Sequence, residues 1–332
     1  MASTTGLARR PFGRTGLEVS EVGFGGWGIG KSMWGHTDDA SSIKALRRAI
    51  ELGVTYFDTA AVYGHGHSER LIARVIQETG AAAVIGTKVP PQNMEWPAHV
   101  RTRLGHAFSP EWVRFCVERS LRNLRRDSLD LVMFHVWTDA WLKDPMWAET
   151  LGAFQTLRDA GKLRSVGVSI NSDNPDSALD VVRSGIADGV QVILNLFDQR
   201  PLTRLFPLCL EKGVGVVVRC PFDEGGLTGT LTPDTRFAPE DFRSYYFGGS
   251  RLEETCRRAS ALEERLVPRH AETLAQAAIK YCLSVPAVST VIPGMRTASH
   301  VELNVAAADG RYFDPALLDE LKSHAWVRDF YK

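Results

Sequence analysis

The chain has 332 residues, of which 44% are hydrophobic and 23% are charged, a composition typical of a globular protein with a sizeable core. Its 39 Lys and Arg residues balance its 39 Asp and Glu residues, so no overall field attracts nucleic acid or an anionic membrane. The expected partner is therefore a discrete small molecule, and we expect neither nucleic acid nor membrane binding.

The sequence also indicates a cellular compartment. Segment 1–13 carries no apolar run, and no hydrophobic stretch reaches the length of a membrane span. The five cysteines are widely separated and show neither CxxC nor Cys/His metal spacing. We therefore expect a cytoplasmic protein with reduced thiols and no bound metal.

Short β-rich runs alternate with longer segments of helical period, which predicts a parallel sheet with crossover helices. Eight such runs are present, the number that a closed (β/α)8 TIM barrel requires. With no linker or repeat, the sequence predicts a single domain over residues 1–332, and an open doubly wound sheet is the alternative. The predicted strands are 20–24, 54–58, 82–88, 130–135, 165–169, 190–195, 214–219 and 289–292.

Capping signals place two of the helices. An apolar period over 40–50 ends at Gly53, a typical C′ residue. Before the fourth strand, Ser109, Pro110 and Glu111 supply a cap, a first-turn proline and an acid that suits the helix dipole.

Three segments exceed ordinary connection lengths: 89–109, 137–150 and about 221–265. Long loops after barrel strands frame ligand sites, so we expect these segments at the active-site mouth. Within the last of them, 241–258 is aromatic and then strongly charged. This pattern suits a lid over the site or a contact in a homo-oligomer.

Four ionisable side chains follow three consecutive predicted strands, whose ends converge on one mouth in a parallel barrel. Asp58 ends the second strand and Tyr63 follows five residues later, while Lys88 and His135 end the next two strands. Lys88 and His135 interrupt apolar runs, where burial is costly without a partner, and Asp58 is the expected partner of Lys88. Each residue alone also suits a structural role, but together they indicate a catalytic site.

The sequence around these residues resembles the aldo-keto reductase family. The likeness rests on GVTYFDTAAVYG (53–64), GTKV (86–89) and LDLVMFHVW (129–137). It covers nearly the whole chain, through 12–30, 63–76, 161–169, 190–200 and 291–304. The resemblance implies a barrel that binds extended NADP(H), with a catalytic tetrad of Asp58, Tyr63, Lys88 and His135.

The chemistry of carbonyl reduction suits these roles. Hydride addition leaves negative charge on the carbonyl oxygen, which a donor must protonate or stabilise. Tyr63 is the expected acid, and the base in the oxidation direction. Lys88, held by Asp58, is expected to lower the pKa of Tyr63 from its ordinary value of about 10. A neutral His135 is expected to hydrogen-bond the substrate oxygen.

Residues 23–28 spell a literal GxGxxG after the first strand, the pattern of a Rossmann dinucleotide site. That motif must open a helix directly and be followed by an acid about 20 residues on. Here the helix begins near Asp38, and two arginines at 47–48 occupy the place of the acid. We therefore reject a Rossmann site. In the resembling family this loop lines the cofactor and substrate, at positions that match Gly26 and Trp27.

The resemblance assigns further cofactor contacts to the ends of the last four strands. Polar groups after the fifth and sixth strands are expected to hold the nicotinamide carboxamide. A glycine-containing loop after the seventh is expected to meet the pyrophosphate through its backbone N–H groups. Arg296, after the eighth, is expected to bind a 2′-phosphate. Together with Gly26, Trp27 and Asp58, the expected cofactor residues are Ser169, Asn171, Gln191, Arg219, Pro221, Gly225, Leu227, Gly294, Met295, Arg296, His300 and Asn304.

Several of these positions depart from the pattern of many relatives. An isoleucine separates Ser169 from Asn171 where relatives read Ser-Asn, so Asn171 is a displaced candidate that also suits a helix cap. Arg219 stands where relatives place an aromatic ring against the nicotinamide. Gly294 and Met295 stand where several relatives have Lys-Ser. We therefore expect NADP(H) as the cofactor, with a relaxed preference that also admits NAD(H).

The substrate cavity is expected to be apolar, as ligand pockets usually are. Each aromatic residue proposed for it also suits ordinary packing. The predicted substrate-binding residues are Trp27, Tyr63, His135 and Trp137, with Met33 and Trp34 as further candidates.

Three functions suit these residues. The leading interpretation is an oxidoreductase that moves hydride between NADP(H) and an aldehyde, ketone or sugar, or the matching alcohol. The second is an NADP(H)-binding, redox-sensing regulatory subunit with little turnover, as some proteins that resemble this family are. The third is a lyase that forms a Schiff base at Lys88, a reading that leaves Tyr63 and Arg296 without a role.

Overall fold

The computed structural model describes residues 6–31, 38–171, 174–326 and 330. Its main sheet has eight parallel strands, each paired with the next in chain order. Parallel bridges from Val22 to Val291 and from Gly25 to Gly294 join the last strand to the first, so the sheet closes into a barrel. The strands are β1 Arg9–Pro11 and β2 Glu18–Ser20, which form a separate hairpin, and β3 Phe24–Gly25, β4 Tyr56–Asp58, β5 Val84–Val89, β6 Leu129–Phe134, β7 Leu163–Ser169, β8 Gly189–Ile193, β9 Gly215–Arg219 and β10 Thr290–Val291.

Every predicted barrel strand overlaps an observed one, which confirms the (β/α)8 barrel over the open sheet. The signal was the run of Val, Ile and other β-favouring residues in each segment, which packs well on a pleated surface covered on both faces. The rejected GxGxxG pattern lies on β3 and a short 3₁₀ turn, Trp27–Ile29. Among the described residues, the next α-helix begins only at Asp39.

The β1–β2 hairpin, which the sequence analysis did not identify, closes the barrel at the end where the strands begin. Its turn and second strand bury apolar side chains in the barrel interior. Gly189 and Gly215 leave room for the ring of Phe12, because a Cβ at Gly215 would lie 2.7 Å from it. This plug leaves the opposite end of the barrel for ligands. The interior cluster comprises Phe12, Leu17, Val19, Tyr56, Leu131, Met133, Val217 and Ile292.

Helices surround the barrel with their apolar faces inward. The predicted cap is confirmed at Ser109, whose Oγ accepts a hydrogen bond from the Trp112 N–H at 3.2 Å. Gly53 follows the first helix with φ of 89°, as a C′ residue does. No helix in the described part of the chain combines the length and the apolarity needed to cross a membrane. The helices are α1 Asp39–Glu51, α2 His67–Thr79, α3 Leu104–Ala107, α4 Pro110–Leu124, α5 Trp147–Asp159, α6 Leu179–Arg183, α7 Leu205–Lys212, α8 Phe242–Tyr246, α9 Arg251–Leu266, α10 Leu274–Leu283, α11 Ala298–Ala306 and α12 Pro315–Leu321.

The long connections contain more regular structure than the sequence predicts. The segment 221–265 is not one loop, because α8 and most of α9 lie within it. In α9, Ala259, Leu262 and Leu266 are buried at helical spacing, but the many charged residues between them hide that period in the sequence. Similarly, α5 begins inside the segment 137–150. The irregular parts that remain follow the carboxyl ends of β5, β6 and β9.

Candidate active site

The ends of three neighbouring strands bring the four predicted catalytic side chains together. Asp58 is the last residue of β4, Lys88 lies near the end of β5, and His135 directly follows β6. Tyr63 lies on the turn that follows β4. Asp58, Lys88 and His135 are at most 5% exposed, so they form the buried floor of the barrel mouth.

Lys88 and Asp58 form a buried ion pair. The Nζ of Lys88 lies 2.7 Å from Oδ1 of Asp58 and 2.8 Å from the carbonyl oxygen of Thr59. The side-chain amide of Gln191 donates to Oδ2 of Asp58 at 2.7 Å. Burial raises the pKa of Asp58 and lowers that of Lys88, and the attraction between the two opposes both shifts. These hydrogen bonds stabilise the two charges in apolar surroundings.

Tyr63 lies above this pair. Its ring centroid is 5.2 Å from Nζ of Lys88 and 5.6 Å from the ring of His135, which it meets edge to face. The turn that carries it requires glycine at position 64, where φ is 59° and a Cβ would overlap the carbonyl oxygen of Gly30. This contact fixes the turn against the first loop.

Burial raises the pKa of Tyr63 well above 10, and the negative charge of Asp58 adds to the rise. This contradicts the expectation that Lys88 lowers the pKa of Tyr63. The physical reason is that Asp58 neutralises the charge of Lys88, while desolvation of the phenol favours its neutral form. Tyr63 is therefore a protonated phenol that can donate its proton.

His135 is a neutral imidazole. Burial lowers its pKa well below 6.5, and the charges of Lys88 and Arg219 lower it further. Its Nδ1 is buried and has no hydrogen-bond partner among the described residues. A neutral ring carries one N–H donor, as the sequence analysis expected for a group that contacts a substrate oxygen.

Two aromatic residues that the sequence did not reveal, Trp96 and Phe242, lie beside the site. The ring of Trp96, 39% exposed, meets His135 edge to face at 4.7 Å. Trp27 stacks on Tyr63 at 6.3 Å, and Phe242 of α8 contacts Trp27 at 6.0 Å. The signal for Trp96 was an apolar residue between prolines in a long loop after a barrel strand.

Trp137, by contrast, does not lie where we expected it. It is 1% exposed and packs in the layer between the barrel and the helices, against Phe134, Trp141 and Trp147. Its indole N–H donates to Asp139 at 3.0 Å. Two residues along from His135, it belongs to an aromatic core cluster rather than to the mouth. The other candidates, Met33 and Trp34, lie outside the described residues.

Polar side chains at the end of β7, just after it and in the middle of β8 form one hydrogen-bonded chain with the ion pair. The Oγ of Ser169 lies 3.2 Å from Oδ1 of Asn171 and 3.3 Å from Oε1 of Gln191. Gln191 in turn donates to Asp58. The displaced Asn171 therefore reaches back to Ser169, and the three predicted carboxamide-binding residues stand together.

Arg219, at the end of β9, is the second cation of the mouth. It donates to the carbonyl oxygen of Ile170 at 2.9 Å and to Sγ of Cys220 at 3.3 Å. Beside the larger effect of burial, its charge lowers the pKa of all four predicted catalytic side chains. Burial raises the pKa of Tyr63, and the charge of Arg219 opposes that rise. The sequence had led us to expect this opposing effect from Lys88.

The loop after β9 differs from the predicted backbone cradle. The N–H groups of Gly225 and Leu227 both donate to the carbonyl oxygen of Phe222 at 2.9 Å, so they are already paired within the loop. Leu227 is fully buried in the core, and Pro221, which has no N–H, is also buried.

Two acids that the sequence analysis passed over give that loop its shape. Asp223 and Glu224 have φ of 49° and 56° and are at most 6% exposed. Asp223 accepts a hydrogen bond from the Tyr246 hydroxyl at 2.6 Å, and Glu224 accepts one from the Cys220 thiol at 3.1 Å. The first contact ties the loop to α8, and the second holds the loop against the end of β9.

The loop after β10 gathers the residues predicted to bind a phosphate. Arg296 is half-buried and packs on the first loop, where a Cβ at Gly28 would lie 2.8 Å from its Cγ. Thr297 caps α11 by accepting from the N–H of His300 at 3.3 Å. Asn304 donates to the carbonyl oxygen of Gly294 at 3.4 Å. Met295 is fully buried, so it can contact a cofactor only through its backbone.

The donors at this mouth fit a nicotinamide dinucleotide. Amide and hydroxyl groups stand beside the ion pair, where a carboxamide needs both donors and acceptors, and a guanidinium stands at the start of α11, where a phosphate gains from the helix dipole. The N–H of Gly26 is already used, because it donates to the carbonyl oxygen of Asp58 at 2.9 Å. Gly26 therefore supports the site by holding the first loop against β4. No group of three or more His, Cys, Asp and Glu side chains suited to a metal ion occurs among the described residues.

The fold and the site define a single-barrel protein with an ionisable mouth at the carboxyl ends of its strands. The chain belongs to the aldo-keto reductases, because the model of the aldo/keto reductase family matches residues 21–325. This is a family of oxidoreductases that use nicotinamide cofactors and act on small carbonyl compounds.

Similar proteins cover nearly the whole chain. The aldo-keto reductase YhdN of Bacillus subtilis is 30% identical over 292 residues, 87% of this chain and 85% of that protein. The NADH-specific methylglyoxal reductase of Escherichia coli is 28% identical over 321 residues, 91% of this chain and 93% of that protein. The structure of the glycerol dehydrogenase AKR11B4 from Gluconobacter oxydans matches with a TM-score of 0.76 at 28% identity, covering 93% of this chain and 92% of that one.

Proposed function

We propose that this protein transfers hydride between NADP(H) and the carbonyl or alcohol group of a small substrate, with Tyr63 as general acid and base. The observation that carries the proposal is the buried Lys88–Asp58 ion pair next to the protonated Tyr63 and the neutral His135. Tyr63 supplies a proton, and the Lys88–Asp58 pair can stabilise the phenolate that remains. His135 supplies a second hydrogen-bond donor for the same substrate oxygen.

In the reduction direction, the nicotinamide supplies a hydride to the carbonyl carbon when it is bound. The Tyr63 hydroxyl donates its proton to the carbonyl oxygen as negative charge develops there, and the N–H of His135 orients that oxygen. The Lys88 ammonium has one donor beyond its bonds to Asp58 and Thr59, and this donor can stabilise the Tyr63 phenolate. Solvent then returns a proton to Tyr63. Oxidation of an alcohol reverses these steps.

The geometry disfavours the Schiff-base lyase. The Nζ of Lys88 is bonded to Asp58 and to Thr59, and the residue is only 1% exposed. A nucleophilic amine must be neutral and must reach the substrate carbonyl. A regulatory NADP(H)-binding subunit would retain the same residues. A measurement of turnover therefore distinguishes it from an enzyme.

NADP(H) is the proposed cofactor because Arg296 lies at the start of α11, where a 2′-phosphate gains from both the guanidinium and the helix dipole. One of the similar proteins is NADH-specific by name, so the titration uses both cofactors. Because one similar structure is a glycerol dehydrogenase, alcohols are also tested as substrates.

The experiment that tests the proposal is a fluorescence titration of the protein with NADPH and with NADH. Aldehydes, ketones, sugars and polyols are then assayed through the nicotinamide absorbance. We expect tighter binding of NADPH and turnover of at least one carbonyl class. Binding without turnover across the panel would favour a regulatory subunit, and failure to bind either cofactor would contradict the proposal.

A further inference from the structure

The place of the Tyr63 ring depends on the backbone turn that carries it. Its side chain is held by ring contacts with Trp27 and His135, at centroid distances of 6.3 Å and 5.6 Å. The turn leads directly into α2, and the N–H of Ser68, in the first turn of that helix, donates to the carbonyl oxygen of Tyr63 at 3.3 Å. Whatever fixes the first turn of α2 therefore also fixes Tyr63.

Ser68 joins α2 to the first loop and to the end of β4. Its Oγ donates to the carbonyl oxygen of Gly26 at 2.9 Å and accepts from Oγ1 of Thr59 at 2.9 Å. The carbonyl oxygen of Thr59 is in turn an acceptor of the Lys88 ammonium. One buried hydroxyl thus connects the Tyr63 turn to the backbone that holds the ion pair.

Glu69, the next residue, joins α2 to β5. Its Oε1 accepts from Oγ1 of Thr87 at 2.7 Å, and its Oε2 accepts from the side-chain amide of Asn123 in α4 at 2.7 Å. Thr87 directly precedes Lys88, and successive side chains of a strand point to opposite faces. Glu69 therefore grips β5 from the helix side at the point where Lys88 enters the mouth from the other side.

Both links consist of fully satisfied, buried polar groups. Ser68 and Glu69 are 0% exposed, and Thr87 is 1% exposed. The carboxylate of Glu69 is stabilised by two neutral donors and by the positive end of the α2 dipole. Short hydrogen bonds between rigid elements restrict position and direction more narrowly than apolar packing does. In catalysis, a misplacement of about 1 Å can lower the rate by about 10²-fold.

We propose that Ser68 and Glu69 are positioning residues, which fix the Tyr63 turn against β4 and β5 and so hold the Tyr63 hydroxyl in place beside Lys88. This inference rests on the proposed function and deepens it, because it extends the site into the layer between the barrel and α2. A purely structural role for the two residues predicts a different result, since a positioning residue acts only through Tyr63.

The test measures kcat for reduction of the aldehyde that the wild type turns over fastest, together with the Kd for NADPH. Thr87→Val removes the donor to Glu69 but keeps the shape of the side chain, so we expect kcat to fall about tenfold while the Kd stays within about twofold. Thr87→Ser retains the hydroxyl and should keep kcat within about twofold of the wild type. Ser68→Ala cuts the other link and should also lower kcat about tenfold.

The matched control is Thr150→Val. Thr150 is 0% exposed, and its hydroxyl donates to the carbonyl oxygen of Phe108 at 2.9 Å, in the outer layer rather than at the mouth. The same substitution at this position should leave kcat within about twofold of the wild type. The Kd for NADPH reports folding in every variant, and if Thr87→Val does not fold, Ser68→Ala provides the comparison.

Combination with Tyr63→Phe separates positioning from a structural role. Once the Tyr63 hydroxyl is gone there is nothing left to position, so Thr87→Val should change the residual turnover of Tyr63→Phe by less than about twofold. A further loss of about tenfold in that background would overturn the inference, and so would wild-type kcat in both Thr87→Val and Ser68→Ala.

The outcome for Tyr63→Phe alone distinguishes this inference from the proposed function. If Tyr63→Phe loses turnover while Thr87→Val and Ser68→Ala keep it, only the inference fails. If Tyr63→Phe turns over like the wild type, or if the wild type turns over no carbonyl compound, the proposed function fails and the inference falls with it.

Discussion

The Nζ of Lys88 and Oδ1 of Asp58 lie 2.7 Å apart, with 0% and 4% of the respective side chains exposed. Neither group can be removed alone without leaving an uncompensated charge in an apolar environment. Gln191 extends the pair toward the residues that we expect to hold the nicotinamide carboxamide, because it bonds both Asp58 and Ser169. The pair therefore contributes to folding and to the geometry of the site together.

Replacing Asp58 by Asn should strongly destabilise the fold. The substitution leaves the Lys88 ammonium buried with only neutral partners, so we expect the free energy of unfolding in urea to fall by about 3–5 kcal/mol. The double variant Asp58→Asn/Lys88→Met removes both charges and should recover most of that loss. A loss below about 1 kcal/mol for Asp58→Asn would show that the pair is not ionised in the native protein.

The two reaction directions should depend differently on pH. Burial raises the pKa of Tyr63, so the phenol stays protonated and reduction should be nearly constant from about pH 6 to about pH 9. Oxidation needs the phenolate and should rise with pH across that range. Burial lowers the pKa of His135, so no loss of reduction rate is expected near its ordinary value. A drop in kcat for reduction with a midpoint near 6.5 would place a charged His135 in the site, contrary to the structure.

Replacing Arg296 by Ala should weaken NADPH binding while sparing NADH. A charge-assisted bond to a phosphate contributes about 1.5–3 kcal/mol, so the Kd for NADPH should rise about 10- to 100-fold. Fluorescence titration with both cofactors provides the comparison within one protein. Equal losses for the two cofactors would contradict a role at the 2′-phosphate.

Two tryptophans near His135 should respond to substitution in opposite ways. Trp96 borders the site, so Trp96→Ala should raise KM for an apolar aldehyde by about tenfold with little change in stability. Trp137 is buried in the outer layer, so Trp137→Ala should lower the free energy of unfolding by about 3–5 kcal/mol. Steady-state kinetics and urea unfolding on both variants separate the roles. The reverse pattern would restore Trp137 as the substrate contact.

Particular residues show what the sequence could reveal. Asp58, Lys88 and His135 end apolar strands, and the parallel topology alone requires such ends to converge, so their cluster follows from local pattern. The same reasoning cannot choose between Trp96 and Trp137. Both follow barrel strands, and only the path of the loop decides which ring faces the mouth.

Backbone geometry was a second feature that could not be predicted from the sequence. The glycines after β9 predict exposed N–H groups, but left-handed Asp223 and Glu224 turn the loop so that its N–H groups pair internally. The shift in the pKa of Tyr63 was likewise hidden, because it depends on desolvation and on how far Asp58 neutralises Lys88. Such effects arise from three-dimensional surroundings that spacing along the chain does not encode.

The most direct test of the proposed function compares the wild type with Tyr63→Phe, a substitution that removes one hydroxyl from the site. We expect kcat for reduction of the best aldehyde to fall by about 10²- to 10⁴-fold, because the proton donor is lost, while the Kd for NADPH stays within about twofold. Turnover by Tyr63→Phe near the wild-type rate would contradict the assignment of Tyr63 as the general acid.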